Sequence, residues 1–367
     1  MHLYVHIPFC HRICPYCAFF KHTPASTDMK SFIRALGREA ESRAAALAAN
    51  RGGETATLYF GGGTPSMLSD THLGHLMETL DRLVPVDKLD EFSFEANPAT
   101  FTEKKVRFWR SLGMTRVSLG VQSLDSGILH LLGREHTPTQ ALHSVEMLKN
   151  AGMPHINMDL MFAIPGQTLS IWEATLKEAV RAGTDHISAY NLTYEEDTEF
   201  FRSLLRGEKR QDPDEDAAFF ELAEHMLEAA GLRHYETSNY AREGCISPHN
   251  MAYWKGEDYV GIGPGAVSTI NGIRYSNTRD AYIRSTLENG LPFSEQEPVT
   301  EEDYRLERIA LMLRTDEGLP LKYILPESRP LLEQYRELGL ADISPEQRLI
   351  LKGRGRLLVD AIAAELC

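Results

Sequence analysis

The chain has 367 residues, 43% apolar and 25% charged, an ordinary globular composition with room for one large domain and a smaller one. Its formal charge of −14 (38 basic against 52 acidic residues) argues against a nucleic-acid partner, and no uncharged apolar run is long enough for a membrane span. Five cysteines, an odd and sparse set, argue against a secreted disulfide framework and suit a reducing cytoplasm with a cysteine-ligated metal.

The first nine residues read as a strand (LYVHI, 3–7) rather than a signal peptide, and Cys10, Cys14 and Cys17 follow at CxxxCxxC spacing. A helical pattern covers 29–49. Strand 57–60 runs into Gly61-Gly62-Gly63-Thr64-Pro65, and a helix covers 69–83. Strand 91–96 carries Glu95 and ends in Asn97-Pro98, before a helix over 102–112 and Gly113. Strand 116–121 leads to Gln122, with a helix over 138–151 and Gly152. Strand 156–162 carries Asp159, with a helix over 168–182 and Gly183, and strand 186–192 carries Asn191. The strands are rich in Val, Ile, Leu, Phe and Tyr, as strands buried on both faces are. This rhythm predicts an α/β fold with a parallel sheet, barrel-like or doubly wound. Sites in such folds form at the C-terminal strand ends, so residues from Cys10 to Asn191 should converge at one mouth.

Beyond the sixth unit, 212–231 reads as a helix with Asp212 as cap and Gly231 as stop. The stretch 235–272 is too aromatic and too patterned for a linker. Helices are expected over 301–314, 319–325, 329–338 and 356–366, with RLILKGRG at 348–355. The set is similar to a small winged-helix unit. With 10 basic and 13 acidic residues in 301–367, it reads as a packing domain rather than a grip on phosphates. The expected divisions are 1–232 as the main α/β domain, 233–300 as a completing segment and 301–367 as a helical domain.

Three cysteines in a tight loop admit two readings. A zinc site would recruit a fourth ligand from His6, His11 or His22. A 4Fe–4S cluster held by three thiolates would leave one iron open to a chelating ligand, and the amino and carboxylate groups of S-adenosylmethionine can chelate it. Gly61, Gly62 and Gly63 allow a ligand to approach the backbone. Glu95 and Asp159 can bind an amino group or ribose hydroxyls, and Arg134 can pair with a carboxylate. Together with the cysteines these favour the second reading.

YVHIPFC with CxxxCxxC, YFGGGTPS, FSFEANP, SLGVQS, AIPGQT after Asp159 and GRGRLLVD resemble radical SAM proteins of the oxygen-independent coproporphyrinogen oxidase group, over nearly the whole chain. The resemblance implies a partial (β/α)6 TIM-like radical SAM barrel over 1–232, a barrel-completing segment with an HNxxY motif over 233–300, and a helical C-terminal domain over 301–367. It implies Cys10, Cys14 and Cys17 as cluster ligands. It implies Tyr4, Tyr16, Gly63, Thr64, Glu95, Gln122, Arg134, Asp159, Thr193 and Val267 as S-adenosylmethionine contacts. The oxidase branch carries a further cysteine where this chain has Phe19, and an N-terminal extension ahead of the first strand. The heme chaperone HemW branch has neither, and has the HNxxY motif seen here as His249-Asn250-Met251-Ala252-Tyr253. That branch implies heme as cargo, with His249 as iron ligand and Tyr253 in an aromatic wall.

Two positions depart from the family pattern: Ala18 stands where Asp is common, and Val267 where GPGAHS has its histidine. The resemblance implies a heme-trafficking protein that delivers heme to a recipient hemoprotein. An electron donor belongs with the cluster, and the resemblance leaves room for a homodimer and a membrane-associated recipient. It argues against a true coproporphyrinogen oxidase and leaves cleavage of S-adenosylmethionine open. A coproporphyrinogen III dehydrogenase and a radical methyltransferase are the rival readings. No residue is singled out as catalytic, and Cys245 and Cys367 read as incidental thiols.

Overall fold

The computed structural model describes residues 2–24, 27–45, 56–207 and 212–367. Six parallel strands lie side by side in chain order: β1 (His2–Ile7), β2 (Thr57–Gly62), β3 (Glu91–Ala96), β4 (Arg116–Gln122), β5 (His155–Phe162) and β6 (His186–Asn191). The helices around them are α1 (Met29–Ser42), α2 (Asp70–Leu83), α3 (Glu103–Ser111), α4 (Ser126–Leu131), α5 (Pro138–Asn150), α6 (Leu169–Ala182), α7 (Glu199–Leu205) and α8 (Pro213–Ala229). Of the helix expected over 29–49, residues 46–49 lie outside the described residues.

Local chemistry explains where helices begin. Ser69, Thr102, Thr137 and Thr168 each accept a backbone N–H three residues on, and Thr137 forms a reciprocal capping box with Gln140. Gly183 ends α6 in a left-handed turn (φ 65°). The strands are continuous apolar runs because both of their faces are covered. Leu58, Phe60, Phe92, Phe94, Val117 and Trp109 from α3 are fully buried, and Phe94 packs on Trp109 with ring centroids 4.9 Å apart. Truncating Phe94 to Ala in such a core costs about 3–5 kcal/mol.

Residues 233–298 add strands at both edges of the six-stranded sheet. β7 (Arg233–Glu236) and β8 (Asn239–Ala241) extend the sheet antiparallel beyond β6. After α9 (Pro248–Trp254), β9 (Tyr259–Ile262) pairs parallel with β1. β10 (Val267–Ile270), β11 (Ile273–Asn277), α10 (Tyr282–Asn289) and β12 (Phe293–Pro298) follow. The result is a partial TIM-like barrel, a mixed α/β fold, with a largely helical C-terminal region.

That region contains α11 (Glu301–Met312), β13 (Leu319–Pro320), α12 (Arg329–Glu337), β14 (Ala341–Ile343), β15 (Arg348–Leu351), α13 (Arg354–Leu357) and α14 (Val359–Leu366). The expected helix over 319–325 is corrected: Leu319–Pro320 pairs with β15, and one 3-10 turn over Leu321–Tyr323 follows. Leu319 is drawn into a separate core with Ile309, Leu349 and Leu366, and that burial overrides helix propensity. No helix among the described residues is long and apolar enough to cross a membrane.

Candidate cofactor site

At the C-terminal ends of β1–β6 lies a cavity of about 610 Å³ lined by Cys10, Cys14 and Cys17. Tyr16, Gly63, Thr64, Glu95, Gln122, Arg134, Asp159 and Thr193 line it too, so eight of the ten expected S-adenosylmethionine contacts converge with the cysteines. The loop from Pro8 to His22 is pinned at its base: Cys10 N–H donates to the His22 carbonyl (3.1 Å) and His22 N–H to the Pro8 carbonyl (2.8 Å).

The glycine turn after β2 carries this loop. Gly63 N–H donates to the Ile7 carbonyl (2.8 Å) and Thr64 N–H to the Phe9 carbonyl (2.7 Å). A Cβ on Gly63 would sit 2.6 Å from the Phe9 carbonyl oxygen, so only glycine lets the two backbones meet. Thr64 Oγ1 donates to the Cys10 sulfur and an Arg134 guanidinium N–H to the Cys14 sulfur, each at 3.7 Å. Asn97 organises both donors: its side chain donates to Thr64 Oγ1 (2.9 Å) and accepts from Arg134 (2.6 Å). Burial, then the neighbouring thiols, pushes the Cys10 thiol up, and the Thr64 hydrogen bond opposes that.

The donor set decides between the two metal readings. A zinc ion with Zn–S bonds of about 2.3 Å draws tetrahedral sulfurs to roughly 3.8 Å from one another. The three cysteine sulfurs do not all lie within 4.8 Å of one another. Among the described residues the trio that does is His155, Asp185 and Cys245, at the far end of the strands. The all-thiol set fits an iron–sulfur cluster.

Three carboxylates line the cavity, and two of them, Glu95 and Asp159, stand on strands of the sheet. Glu95 accepts from Tyr59 O–H (2.9 Å) and Gly62 N–H (3.0 Å), and burial, then the charge of Asp159, pushes it up to about 7. Asp159 accepts from Ser118 O–H (3.0 Å) and Asn157 N–H (2.7 Å), and burial pushes it up to about 6. Such carboxyls are poised to take a cation as anions. Arg134 also donates to the Gly120 carbonyl (2.6 Å), and its buried Nε has no partner among the described residues.

Four expected residues lie elsewhere. Tyr4 stacks on Tyr59 and shares a hydrogen bond with His6 Nδ1 (3.0 Å), behind the cavity wall. Val267 begins β10, opposite Ser276 of β11, and does not line the cavity. His249 and Tyr253, expected at the heme, do not line the cavity. Both sit on α9 under the opposite, N-terminal ends of β1 and β2, and His249 is 1% exposed. Its Nδ1 hydrogen-bonds Thr57 Oγ1 (2.6 Å) and its ring stacks on Tyr59 (4.8 Å). Burial pulls it down to about 3, so it is a neutral imidazole, and its Nε2 has no partner. Sequence reasoning missed Tyr59, Ser118, Arg12 and Lys21. Tyr59 carried a signal, being two positions before the glycine turn.

The Radical SAM superfamily model matches residues 4–179. The chain is 36% identical over 371 residues to heme chaperone HemW of Mycobacterium tuberculosis, covering 99% of this chain and 94% of that protein. It is 35% identical over 323 residues to heme chaperone HemW of Bacillus subtilis, covering 87% and 84%. Among solved structures, coproporphyrinogen III oxidase (HemN) from Escherichia coli superposes with a TM-score of 0.82 at 22% identity, over 99% of this chain and 89% of that one, a likeness of fold.

Proposed function

Because the chain belongs to the heme chaperone HemW family of radical SAM proteins, we propose that it binds heme and hands it to a recipient hemoprotein. The observation that carries the reading is Phe19. It stands 71% exposed at the rim of the cysteine cavity, where the oxidase branch has a further cysteine.

As a radical SAM protein the chain uses a 4Fe–4S cluster and S-adenosylmethionine. When bound, the pair supplies one-electron chemistry at the sulfonium. The chain's own residues do the rest. Cys10, Cys14 and Cys17 would hold the cluster through their thiolates, leaving it a site for S-adenosylmethionine. Thr64 and Arg134 donate to two of the sulfurs and steady their charge. Glu95 and Asp159, as anions, receive the amino group and ribose hydroxyls. Gly63, Gln122, Thr193 and Tyr16 shape the walls. The protein works in the cytoplasm, takes electrons from a separate donor, and passes heme on as a monomer or a homodimer to a soluble or membrane-associated recipient.

The test uses one sample. The cluster is reconstituted anaerobically, heme is titrated in, and coproporphyrinogen consumption is assayed in parallel. A heme spectrum without turnover is expected. Turnover without heme binding overturns the reading in favour of the dehydrogenase.

A further inference from the structure

We propose that the N-terminal end of the barrel carries a second metal site, in which His155, Asp185 and Cys245 take a zinc ion. The site is remote from the cysteine cavity and does not rest on the heme reading above.

The three residues come from three separate stretches of chain. His155 opens β5, Asp185 stands in the turn ahead of β6, and Cys245 lies between β8 and α9. A ring nitrogen of His155, a carboxylate oxygen of Asp185 and the Cys245 sulfur all lie within 4.8 Å of one another, the one such trio among the described residues. Zinc bonds of about 2.0–2.3 Å in a tetrahedron space the ligand atoms by roughly 3.3–3.8 Å. Small side-chain rotations therefore close the trio on an ion.

The backbone holds each ligand in place without any ion. His155 N–H donates to the Thr115 carbonyl (3.0 Å), and Ile156 N–H donates to Asp185 Oδ1 (2.8 Å). Arg242 N–H donates to the Asp185 carbonyl (2.9 Å), and the Arg116 side chain donates to the Cys245 carbonyl (2.9 Å). Ligands placed in advance lower the ordering cost of binding. The His155 and Asp185 side chains are 33% and 19% exposed and Cys245 is half-buried, so an ion reaches them from solvent.

The donor set names the ion. One imidazole, one carboxylate and one thiolate suit zinc and neighbouring transition metals, whereas calcium and magnesium take oxygen ligands. Carboxylate and thiolate together balance the two positive charges. The cations nearby are Arg242 and Arg116, and the charge of Arg116 is already paired with Glu91 at 2.7 Å. The ion replaces the hydrogen bond between His155 Nδ1 and Asp185 Oδ2 (2.6 Å), and the Cys245 thiol proton leaves to water. A water completes the fourth position. The plain alternative is a His–Asp ion pair beside an incidental thiol, which would hold no metal.

Cobalt(II), a coloured stand-in for zinc, separates the cases. It is titrated anaerobically into the full chain carrying Cys10→Ala, Cys14→Ala and Cys17→Ala, which removes the thiols of the cavity. One cobalt per chain is expected, with a thiolate charge-transfer band and the strong visible bands of four-coordinate cobalt, both erased by added zinc. In that background Cys245→Ser should lose the charge-transfer band, and His155→Ala should weaken binding by about tenfold or more. Cys367→Ser should change neither. In parallel, cluster-loaded wild type is equilibrated with zinc and dialysed. One zinc per chain is expected at unchanged iron content, and none in Cys245→Ser. If the triple variant or His155→Ala does not fold, this second comparison decides. A missing charge-transfer band, a band that survives Cys245→Ser, or zinc held equally, or not at all, by wild type and Cys245→Ser overturns the site. No readout involves heme, so the heme reading stands or falls separately.

Discussion

Each of the six parallel strands begins on a polar residue that is tied up, and the cofactor cavity lies at their other ends. At the floor, the strap 242–254 crosses the strand starts in order. Arg242 N–H meets the Asp185 carbonyl ahead of β6 (2.9 Å), and Arg116 of β4 donates to the carbonyls of Cys245 (2.9 Å) and Ile246 (3.0 Å). Ser247 O–H donates to Glu91 of β3 (2.9 Å), and His249 meets Thr57 of β2. Arg116 and Glu91 close the set as a buried ion pair at 2.7 Å, 4% and 2% exposed. At the mouth, the three cysteines form no disulfide, Arg134 Nε has no partner among the described residues, and Glu95 and Asp159 are held above their ordinary range. Histidine and cysteine occur at both ends. Unmet chemistry in a cavity marks the site, and residue type alone does not.

The largest effect that separates the ends is at the cysteines. Cys10→Ala, Cys14→Ala or Cys17→Ala should abolish the iron–sulfur absorbance after reconstitution while leaving the apo protein's unfolding midpoint within a degree or two of wild type. A cysteine variant that unfolds the apo protein would make the mouth structural as well. The floor should behave in reverse. Arg116→Met leaves Glu91 buried and unpaired, which costs about 3–5 kcal/mol in urea unfolding. Cluster content per folded molecule should not change, and a specific loss of cluster would break the comparison.

The mouth was legible because parallel strands buried on both faces read as apolar runs, so the polar residue that follows each one stands out. The floor was not. Its partners are remote in sequence, His249 and Thr57 being 192 residues apart. Glu91 and Arg116 open their strands and read as boundaries rather than as a buried pair. α9 is only seven residues long, begun by the Ser247 cap and Pro248, and carries no helical period to detect. The HNMAY stretch suggested a ligand, and nothing in its pattern showed that its backbone and His249 also close the floor of the barrel. β7–β12 escaped for a related reason: they are short, three to six residues each, and are completed only by pairing across the sheet.

Glu95 allows a finer test at the mouth. Its carboxyl holds a proton more tightly in the native state than in the unfolded chain. Its contribution to stability therefore falls as pH rises from the ordinary carboxylate range to about 7, and is flat above that. The anion is the form that receives a cation, so affinity for S-adenosylmethionine should rise over the same window, by about tenfold from pH 6 to pH 8 in calorimetric titrations. Glu95→Gln should bind more weakly and lose most of this dependence, apart from a lower inflection at Asp159 near about 6. An unchanged profile would remove Glu95 from the contact set.

The smallest expected effect lies where the two ends touch. Tyr59 donates its hydroxyl to Glu95 at 2.9 Å and stacks its ring on His249 at 4.8 Å, so a single side chain faces both the cavity and the floor. Tyr59→Phe keeps the stack and removes the donor. The lost hydrogen bond stabilised the Glu95 anion, so its pKa should move further above about 7, and the pH midpoint for cofactor binding should move up with it. The global cost should be about 0.5–1.5 kcal/mol, the net worth of one hydrogen bond. Had the floor depended on the hydroxyl, the same change would loosen α9 and speed hydrogen exchange at Met251 and Ala252. A shifted binding midpoint with unchanged exchange at those amides would show that the floor holds Tyr59 by its ring, and that the mouth uses the hydroxyl.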